Sequence, residues 1–212
     1  MTRLLDRLAP CGPILDPKAA ERTHEALAKA ADGWRETLAA AWPALAPVAA
    51  ASPYLAGLMR RRPERLRGLL EARPETRLAA ILAAAEAVAD QPDFETARQA
   101  LRALKAELHL LTALCDLSGA WDLDAVTGAL TDFADAALRA ALAQAARIEV
   151  ARGALTRLGE GLDGPLPGLF CVAMGKHGAF ELNYSSDIDF SIFYAPERLP
   201  VSEGTEKSMS LE

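Results

Sequence analysis

The sequence is short of aromatic residues and of positive charge. Phenylalanine, tryptophan and tyrosine make up 6% of the 212 residues, whereas 51% are hydrophobic and alanine supplies much of that share. Few aromatics and many alanines favour close-packed helices over a β-sandwich or a β-barrel. The net charge is −6 and the chain has no long basic run, which argues against nucleic-acid binding.

Cysteine is also scarce, and long apolar runs are missing. Cys11, Cys115 and Cys171 are far apart and form no Cys-x-x-Cys pair, so a structural zinc site and a disulfide framework are disfavoured. Cys115 and Cys171 lie in apolar runs and are predicted to be buried free thiols. No apolar run reaches ~18 residues without a charge, and the start is too polar for a signal peptide. We therefore expect a cytoplasmic protein without membrane contact.

The first half of the chain reads as a series of short helices that begin at prolines. Asp16 and Ser52 each precede a proline and are typical helix caps. Pro43 and Pro47 predict an irregular connection, because proline in a helix interior removes a hydrogen bond. Helices are predicted to begin at or next to Pro17, Pro53, Pro63 and Pro74.

Two long helices are predicted next, at about 93–117 and from about Asp122 to just before Gly153. A loop of about five residues between them predicts an antiparallel pair. His109 is expected on the helix surface or at its boundary. The first helix carries an apolar stripe with alternating spacings of three and four: Phe94, Ala97, Leu101, Leu104, Leu108, Leu111 and Cys115. The second carries a similar stripe: Val126, Leu130, Phe133, Ala137 and Ala141.

A glycine-rich linker at 159–168 precedes a different pattern. An apolar run at 169–174 predicts a buried strand, and a turn with two glycines follows it. Asp187 and Asp189 are placed on a second strand, where residues two apart leave the same face. Ile188 is then expected to point into the core. Two carboxylates on one face repel each other unless a cation lies between them.

The chemistry that fits this pattern is a metal and phosphate site. Magnesium prefers carboxylate oxygens and commonly completes its coordination with phosphate oxygens. Glycines permit close approach of the backbone to a ligand, and free N–H groups at a helix start favour phosphate. Taken alone, an Asp-x-Asp pair is more often a solvated edge, and a Gly-x-x-Gly turn is more often only a turn. The combination within 25 residues favours the functional interpretation.

The stretch GKHGAFELNYSSDIDF at 175–190 resembles the signature of the glutamine synthetase adenylyltransferase/adenylyl-removing enzymes. The family pattern is roughly G-K-L-G-G-x-E-L-N-[FY]-S-S-D-I-D. His177 stands where the family has leucine, and Ala179 stands where it has a second glycine. The sequence at residues 183–186, N-Y-S-S, is similar to the corresponding sequence in the N-terminal, adenylyl-removing half of these enzymes.

The resemblance implies a mostly α chain with a long antiparallel helix pair, followed by the first two strands of a DNA polymerase β-type nucleotidyltransferase domain. The expected parts are a helical region at 1–158, the linker at 159–168 and an incomplete catalytic domain at 169–212. Asp187 and Asp189 are the implied catalytic residues and ligands of Mg²⁺ or Mn²⁺. The implied nucleotide and phosphate ligands are Gly175, Lys176, Gly178, Ala179, Ser185 and Ser186.

The resemblance also implies an activity and partners. Inorganic phosphate would take AMP off a tyrosine of glutamine synthetase and release ADP, and the full enzyme would also add AMP from ATP. A PII-type signalling protein is the implied regulator. The family's third carboxylate lies on a later strand, so the chain by itself is expected to be inactive or nearly so. Two alternatives stay open: a uridylyltransferase-like signalling protein, and a non-catalytic helical interaction module.

Overall fold

The computed structural model describes residues 2–159 and 166–202. Within these residues, seven α-helices precede a two-stranded sheet whose strands flank one short helix, so the expected mostly α chain with two terminal strands is confirmed. None of the helices in the described part of the chain combines the length and the apolar character needed to cross a bilayer. The elements are α1 (Pro17–Ala30), α2 (Arg35–Ala51), α3 (Pro53–Arg61), α4 (Pro63–Glu71), α5 (Pro74–Ala87), α6 (Phe94–Leu117), α7 (Leu123–Ala151), β1 (Leu169–Met174), α8 (Gly175–Gly178) and β2 (Asp189–Tyr194).

The predicted helix starts are confirmed at all four prolines. The carboxylate of Asp16 accepts a hydrogen bond from the backbone N–H of Ala19 at 3.0 Å. The hydroxyl of Ser52 accepts one from the N–H of Leu55 at 3.2 Å. Each cap satisfies a backbone donor that the helix leaves without an intrahelical partner. Most of the predicted linker, residues 160–165, lies outside the described residues, and the domain boundaries stay a prediction.

The irregular connection predicted at Pro43 and Pro47 is wrong. Helix α2 continues through both prolines to Ala51. Leu38 and Leu45 are buried together with Ala41, Ala44 and Ala46, and this packing outweighs the two backbone hydrogen bonds that proline removes. Burial against the rest of the fold keeps this helix continuous, and the local sequence pattern does not reveal such burial.

The chain forms two compact units, and the first consists of Met1–Ile81 and Leu104–Leu130. Its centre is the second half of α6, where every residue from 107 to 115 is buried. This segment therefore has no solvent-facing side. The predicted apolar stripe covers one face of α6, whereas all faces are buried here. Cys115 is a buried free thiol as predicted, and burial raises its pKa to about 12.

Two buried polar side chains of this first unit are paired with other side chains. The prediction of a surface or boundary position for His109 is wrong, because the side chain is buried and its Nδ1 lies 2.9 Å from the hydroxyl of Tyr54. Glu107 is also buried and forms ion pairs with Arg65 and Arg77. Buried polar groups are tolerated when they find such partners.

The second unit consists of Leu82–Ala103 and Thr131–Glu212. The buried Gln144 of α7 donates from Nε2 to the carbonyl of Gln91, at 2.9 Å, and lies within hydrogen-bonding distance of two further carbonyls just upstream. Residues late in α7 thus lie beside the residues that precede α6, which agrees with antiparallel pairing of the two helices. The predicted apolar stripes are wrong at Phe94 and Ala141, which are exposed. Alanines at other positions of α7 are buried instead: Ala140, Ala143 and Ala146.

Strands β1 and β2 pair antiparallel, with Leu169 opposite Tyr194 and Met174 opposite Asp189. The prediction of buried strands is wrong, because every residue of β2 is exposed and β1 alternates between half-buried and exposed. Ile188 is 40% exposed and does not enter a core, and Cys171 is only half-buried. The physical reason is that the described sheet has two strands, too few to enclose a core of their own.

Candidate nucleotide-binding site

The glycine turn between the two strands is a single helical turn with a well-defined end. The N–H of Glu181 donates to the carbonyl of Lys176 at 2.8 Å, and the N–H of Phe180 donates to the carbonyl of His177 at 3.2 Å. This pattern is a Schellman motif, and it places Phe180 in the left-handed region, with φ of 59°. Ala179 has φ of −87°, so the alanine is accommodated without left-handed backbone.

Both glycines of the turn are required by the backbone. Gly175 has φ of +55°, a conformation that costs a residue with a Cβ. A Cβ atom at Gly178 would stand 2.5 Å from the carbonyl oxygen of Ala173, closer than nonbonded atoms approach. The turn therefore folds tightly against the end of β1, and its residues are exposed except His177.

The turn and one of the two predicted aspartates are brought together. Asp189 opens β2 opposite Met174, which is the last residue before the turn. A Cβ atom at Gly175 would stand 3.1 Å from Oδ2 of Asp189, so the carboxylate lies directly against the glycine backbone. A phosphate group held by the turn would therefore share its surroundings with the Asp189 carboxylate.

Asp187 is placed differently from the prediction. It lies in the loop before β2, so strand alternation does not set its direction. The loop is organised by Asn183, whose side-chain oxygen accepts from the hydroxyl of Ser186 at 2.8 Å and from the N–H of Ser185 at 3.1 Å. The Ser185 hydroxyl also donates to this oxygen, at 3.3 Å. The loop that ends in Asp187 is thus held by its own side chains.

The electrostatics of the two aspartates leave them available to a cation. Both side chains are exposed, and in the part of the chain that the structure describes neither is paired with a lysine or an arginine. Lys176 is exposed and lies in the turn. Over residues 2–159 and 166–202, no three His, Cys, Asp or Glu side chains are grouped closely enough to hold a metal ion by themselves. A cation at this place would therefore depend on oxygen atoms of a ligand, as Mg²⁺ bound with nucleotides does.

Sequence reasoning missed the attachment of the turn to α7. His177 is only 1% exposed, and its Nε2 lies 2.7 Å from Oδ1 of Asp135. The nearby Asp132 has a raised pKa, first because of burial and second because of the charge of Asp135. The departure of residue 177 from the expected leucine was the available signal, but nothing in the sequence indicated which acid would meet it.

A glycine turn after one strand, with an aspartate at the start of the paired strand, is an arrangement suited to holding a metal–nucleotide complex. This geometry is compatible with a nucleotidyltransferase site, and the class of the chain is shown by its family. The chain belongs to the glutamate-ammonia ligase adenylyltransferase (GlnE) family, whose family model matches residues 42–211.

Curated relatives agree with this assignment. The chain is 72% identical over 206 residues to a bifunctional glutamine synthetase adenylyltransferase/adenylyl-removing enzyme of Caulobacter vibrioides, covering 97% of this chain and 21% of that protein. The enzyme of the same name from Bradyrhizobium diazoefficiens is 46% identical over 163 residues, covering 76% of this chain and 16% of that protein. This chain spans about a fifth of the length of the curated relatives that it matches. No solved structure gives a significant match.

Proposed function

We propose that the chain contributes the glycine turn and two metal-binding carboxylates to a nucleotidyltransferase site that removes AMP from a tyrosine of glutamine synthetase. The observation that carries the proposal is the contact between the Asp189 carboxylate and Gly175. It joins the two halves of the motif in space, within a chain 72% identical to a protein named for this chemistry. The name of the family favours this function over the uridylyltransferase-like alternative.

Each residue of the motif has a proposed task. Asp187 and Asp189 hold Mg²⁺ or Mn²⁺, and backbone groups of 175–179 contact the phosphates of ADP or ATP, with Lys176 adding positive charge. A divalent cation bound there would neutralise phosphate charge and orient the reacting groups. Ser185 and Ser186 donate to Asn183, which supports a bracing task for both hydroxyls over direct phosphate binding.

The proposed setting follows from the same relatives. Their printed name makes glutamine synthetase the protein acted upon, and this chain is proposed to serve that substrate in the cytoplasm. A PII-type signalling protein is the proposed regulator. The sequence N-Y-S-S at 183–186 supports assignment of the chain to the adenylyl-removing half of the enzyme over the adenylylating half.

Calorimetry of ADP binding in the presence of Mn²⁺ tests the proposal. We expect the chain to bind Mn²⁺–ADP, and we expect Asp187→Asn/Asp189→Asn to abolish binding because the cation loses both anionic ligands. A matched control is Asp32→Asn/Glu36→Gln, which removes the same two charges from exposed positions elsewhere in the chain. Equal binding by the parent and the Asp187/Asp189 variant would overturn the proposal.

Turnover is a separate expectation. With adenylylated glutamine synthetase and inorganic phosphate, we expect this chain to release little or no ADP, because the resemblance places a third carboxylate on a later strand. Rapid release of ADP would show that Asp187 and Asp189 suffice, and the assignment of a third carboxylate would then be wrong for this protein.

A further inference from the structure

The imidazole of His177 is the deepest side chain of the glycine turn. Among residues 175–181 it is the buried one, at 1% exposure, whereas its neighbours in the turn are exposed. An imidazole in such a position must satisfy its ring nitrogens or lose free energy. The His177 imidazole therefore points inward from the turn whose backbone groups are proposed to contact phosphate.

One hydrogen bond attaches this imidazole to the helical part of the unit. Nε2 lies 2.7 Å from Oδ1 of Asp135 on α7, so Nε2 carries the proton and donates it to the carboxylate. Nδ1 is buried and has no hydrogen-bond partner among the described residues. Among the described residues Asp135 is accordingly the hydrogen-bond partner of the ring, and hydrogen bonds to a carboxylate are among the stronger ones.

The backbone of the turn connects His177 to the other residues of the candidate site. Hydrogen bonds from Phe180 to His177 and from Glu181 to Lys176 close the turn into one unit. Its first residue, Gly175, lies against the Asp189 carboxylate. A displacement of the His177 backbone would therefore be passed to Gly175, which lies against Asp189.

We propose that His177 and Asp135 are positioning residues for nucleotide binding. Their hydrogen bond fixes the glycine turn at the distance from Asp189 that a bound metal–phosphate group requires. Neither residue contacts the nucleotide in this proposal, which rests on the proposed function. The pair acts through the backbone of 175–178.

The test is calorimetry of Mn²⁺–ADP binding by the chain and a set of variants. Asp135→Leu removes the acceptor and is expected to weaken binding about tenfold, the size typical of a lost hydrogen bond to a charged group. Asp135→Asn keeps an acceptor oxygen and is expected to bind within about twofold of the parent. Asp132→Leu removes the same charge one turn earlier on α7 and is expected to leave binding unchanged.

Substitution of His177 gives a second set of variants that does not depend on Asp135→Leu folding. His177→Leu is expected to weaken binding about tenfold, and His177→Gln is expected to restore most of it, because the carboxamide N–H₂ replaces the Nε2 donor. In the His177→Leu background, Asp135→Leu is expected to have no further effect. Thermal unfolding of each variant identifies any that has lost its fold.

The binding results distinguish failure of the positioning proposal from failure of the proposed function. If the parent chain binds Mn²⁺–ADP and both Asp135→Leu and His177→Leu bind equally well, the positioning proposal is overturned while the proposed function stands. The positioning proposal is also overturned if His177→Gln binds no better than His177→Leu. If the parent chain shows no binding at all, the proposed function fails and the positioning proposal fails with it.

Discussion

Gly175 and Asp189 meet across the end of the sheet, because a Cβ atom at Gly175 would stand 3.1 Å from Oδ2 of the Asp189 carboxylate. Two independent constraints therefore favour glycine at position 175. Its backbone has φ of +55°, which favours glycine, and its missing side chain leaves room for the carboxylate. The aspartate and the glycine are fourteen positions apart in the chain, and the antiparallel register brings them together.

Replacing this glycine should weaken both the fold of the turn and its ligand binding. We expect Gly175→Ala to cost about 1–2 kcal/mol of unfolding free energy from the left-handed backbone. The new methyl group would also shift the Asp189 carboxylate by a few tenths of an ångström, so Mn²⁺–ADP binding should weaken. Thermal unfolding and calorimetry measure the two effects.

A matched substitution separates the effect of the site from that of adding a methyl group. Gly68 lies inside α4, and a Cβ atom there would meet nothing within 4 Å. Gly68→Ala should stabilise the chain by about 0.5–1 kcal/mol and leave ligand binding unchanged. Unaltered binding in Gly175→Ala would contradict the expected coupling between the Gly175 backbone and the Asp189 carboxylate.

The loop before β2 should depend on the side chain of Asn183. Asn183→Ala removes the acceptor that serves Ser185 and Ser186, so Asp187 should lose its fixed position and Mn²⁺–ADP binding should weaken several-fold. Asn183→Asp keeps an acceptor oxygen and should bind at least as well as the parent. If calorimetry shows equal losses in both variants, the bracing interpretation is wrong.

The glycine turn could be predicted from the sequence because its cause is local. Gly175 and Gly178 mark backbone that other residues resist, and the strands on either side are short apolar runs. The position of Asp187 could not be predicted in the same way. Alternation along a strand was assumed, but the hydrogen bonds of Asn183 delay the start of β2 until Asp189.

In the fold as well, features set by nearby residues could be predicted and features set by distant residues could not. Caps such as Asp16 and Ser52 determine helix starts through groups three residues away, and these predictions are confirmed. The continuity of α2 through Pro43 and the burial of His109 depend on partners distant in the chain. A single sequence contains the residue types but gives no direct indication of which distant groups will meet.

The buried Glu107 should be the most costly ion-pair partner to remove. Its carboxylate accepts from Nε of Arg77 at 2.5 Å and lies 3.5 Å from Nε of Arg65. Glu107→Ala leaves two guanidinium groups without their partner, of which Arg65 is the more buried. We expect a loss of about 2–3 kcal/mol of unfolding free energy, somewhat below the usual cost of breaking a fully buried pair.

A surface ion pair provides the comparison for this variant. Glu95 is exposed and pairs with Arg98 on the same helix. Solvent screens such a pair, so Glu95→Ala should change the unfolding midpoint in urea far less than Glu107→Ala does. Equal shifts for the two variants would show that the buried position of Glu107 has no energetic consequence.

The buried imidazole of His109 should make stability fall in mild acid. Burial lowers its pKa to about 4, with a smaller contribution from Lys105, whereas the unfolded chain has a pKa near 6.5. Between these two values the unfolded state binds a proton that the folded state does not bind. The free energy of unfolding must then increase with pH across this window, and it decreases as the pH falls from about 6.5 towards 4.

Urea unfolding of the parent and of His109→Gln at pH 7 and pH 5 tests this sign. The parent should lose about 2 kcal/mol of unfolding free energy more than the variant over this interval, because glutamine does not titrate. Glu75, whose pKa is lowered, is present in both proteins, so the difference between them isolates His109. Parallel pH dependence in the two proteins would mean that the folded state protonates His109 as readily as the unfolded chain. The hydrogen bond between Tyr54 and an uncharged His109 would then be assigned wrongly.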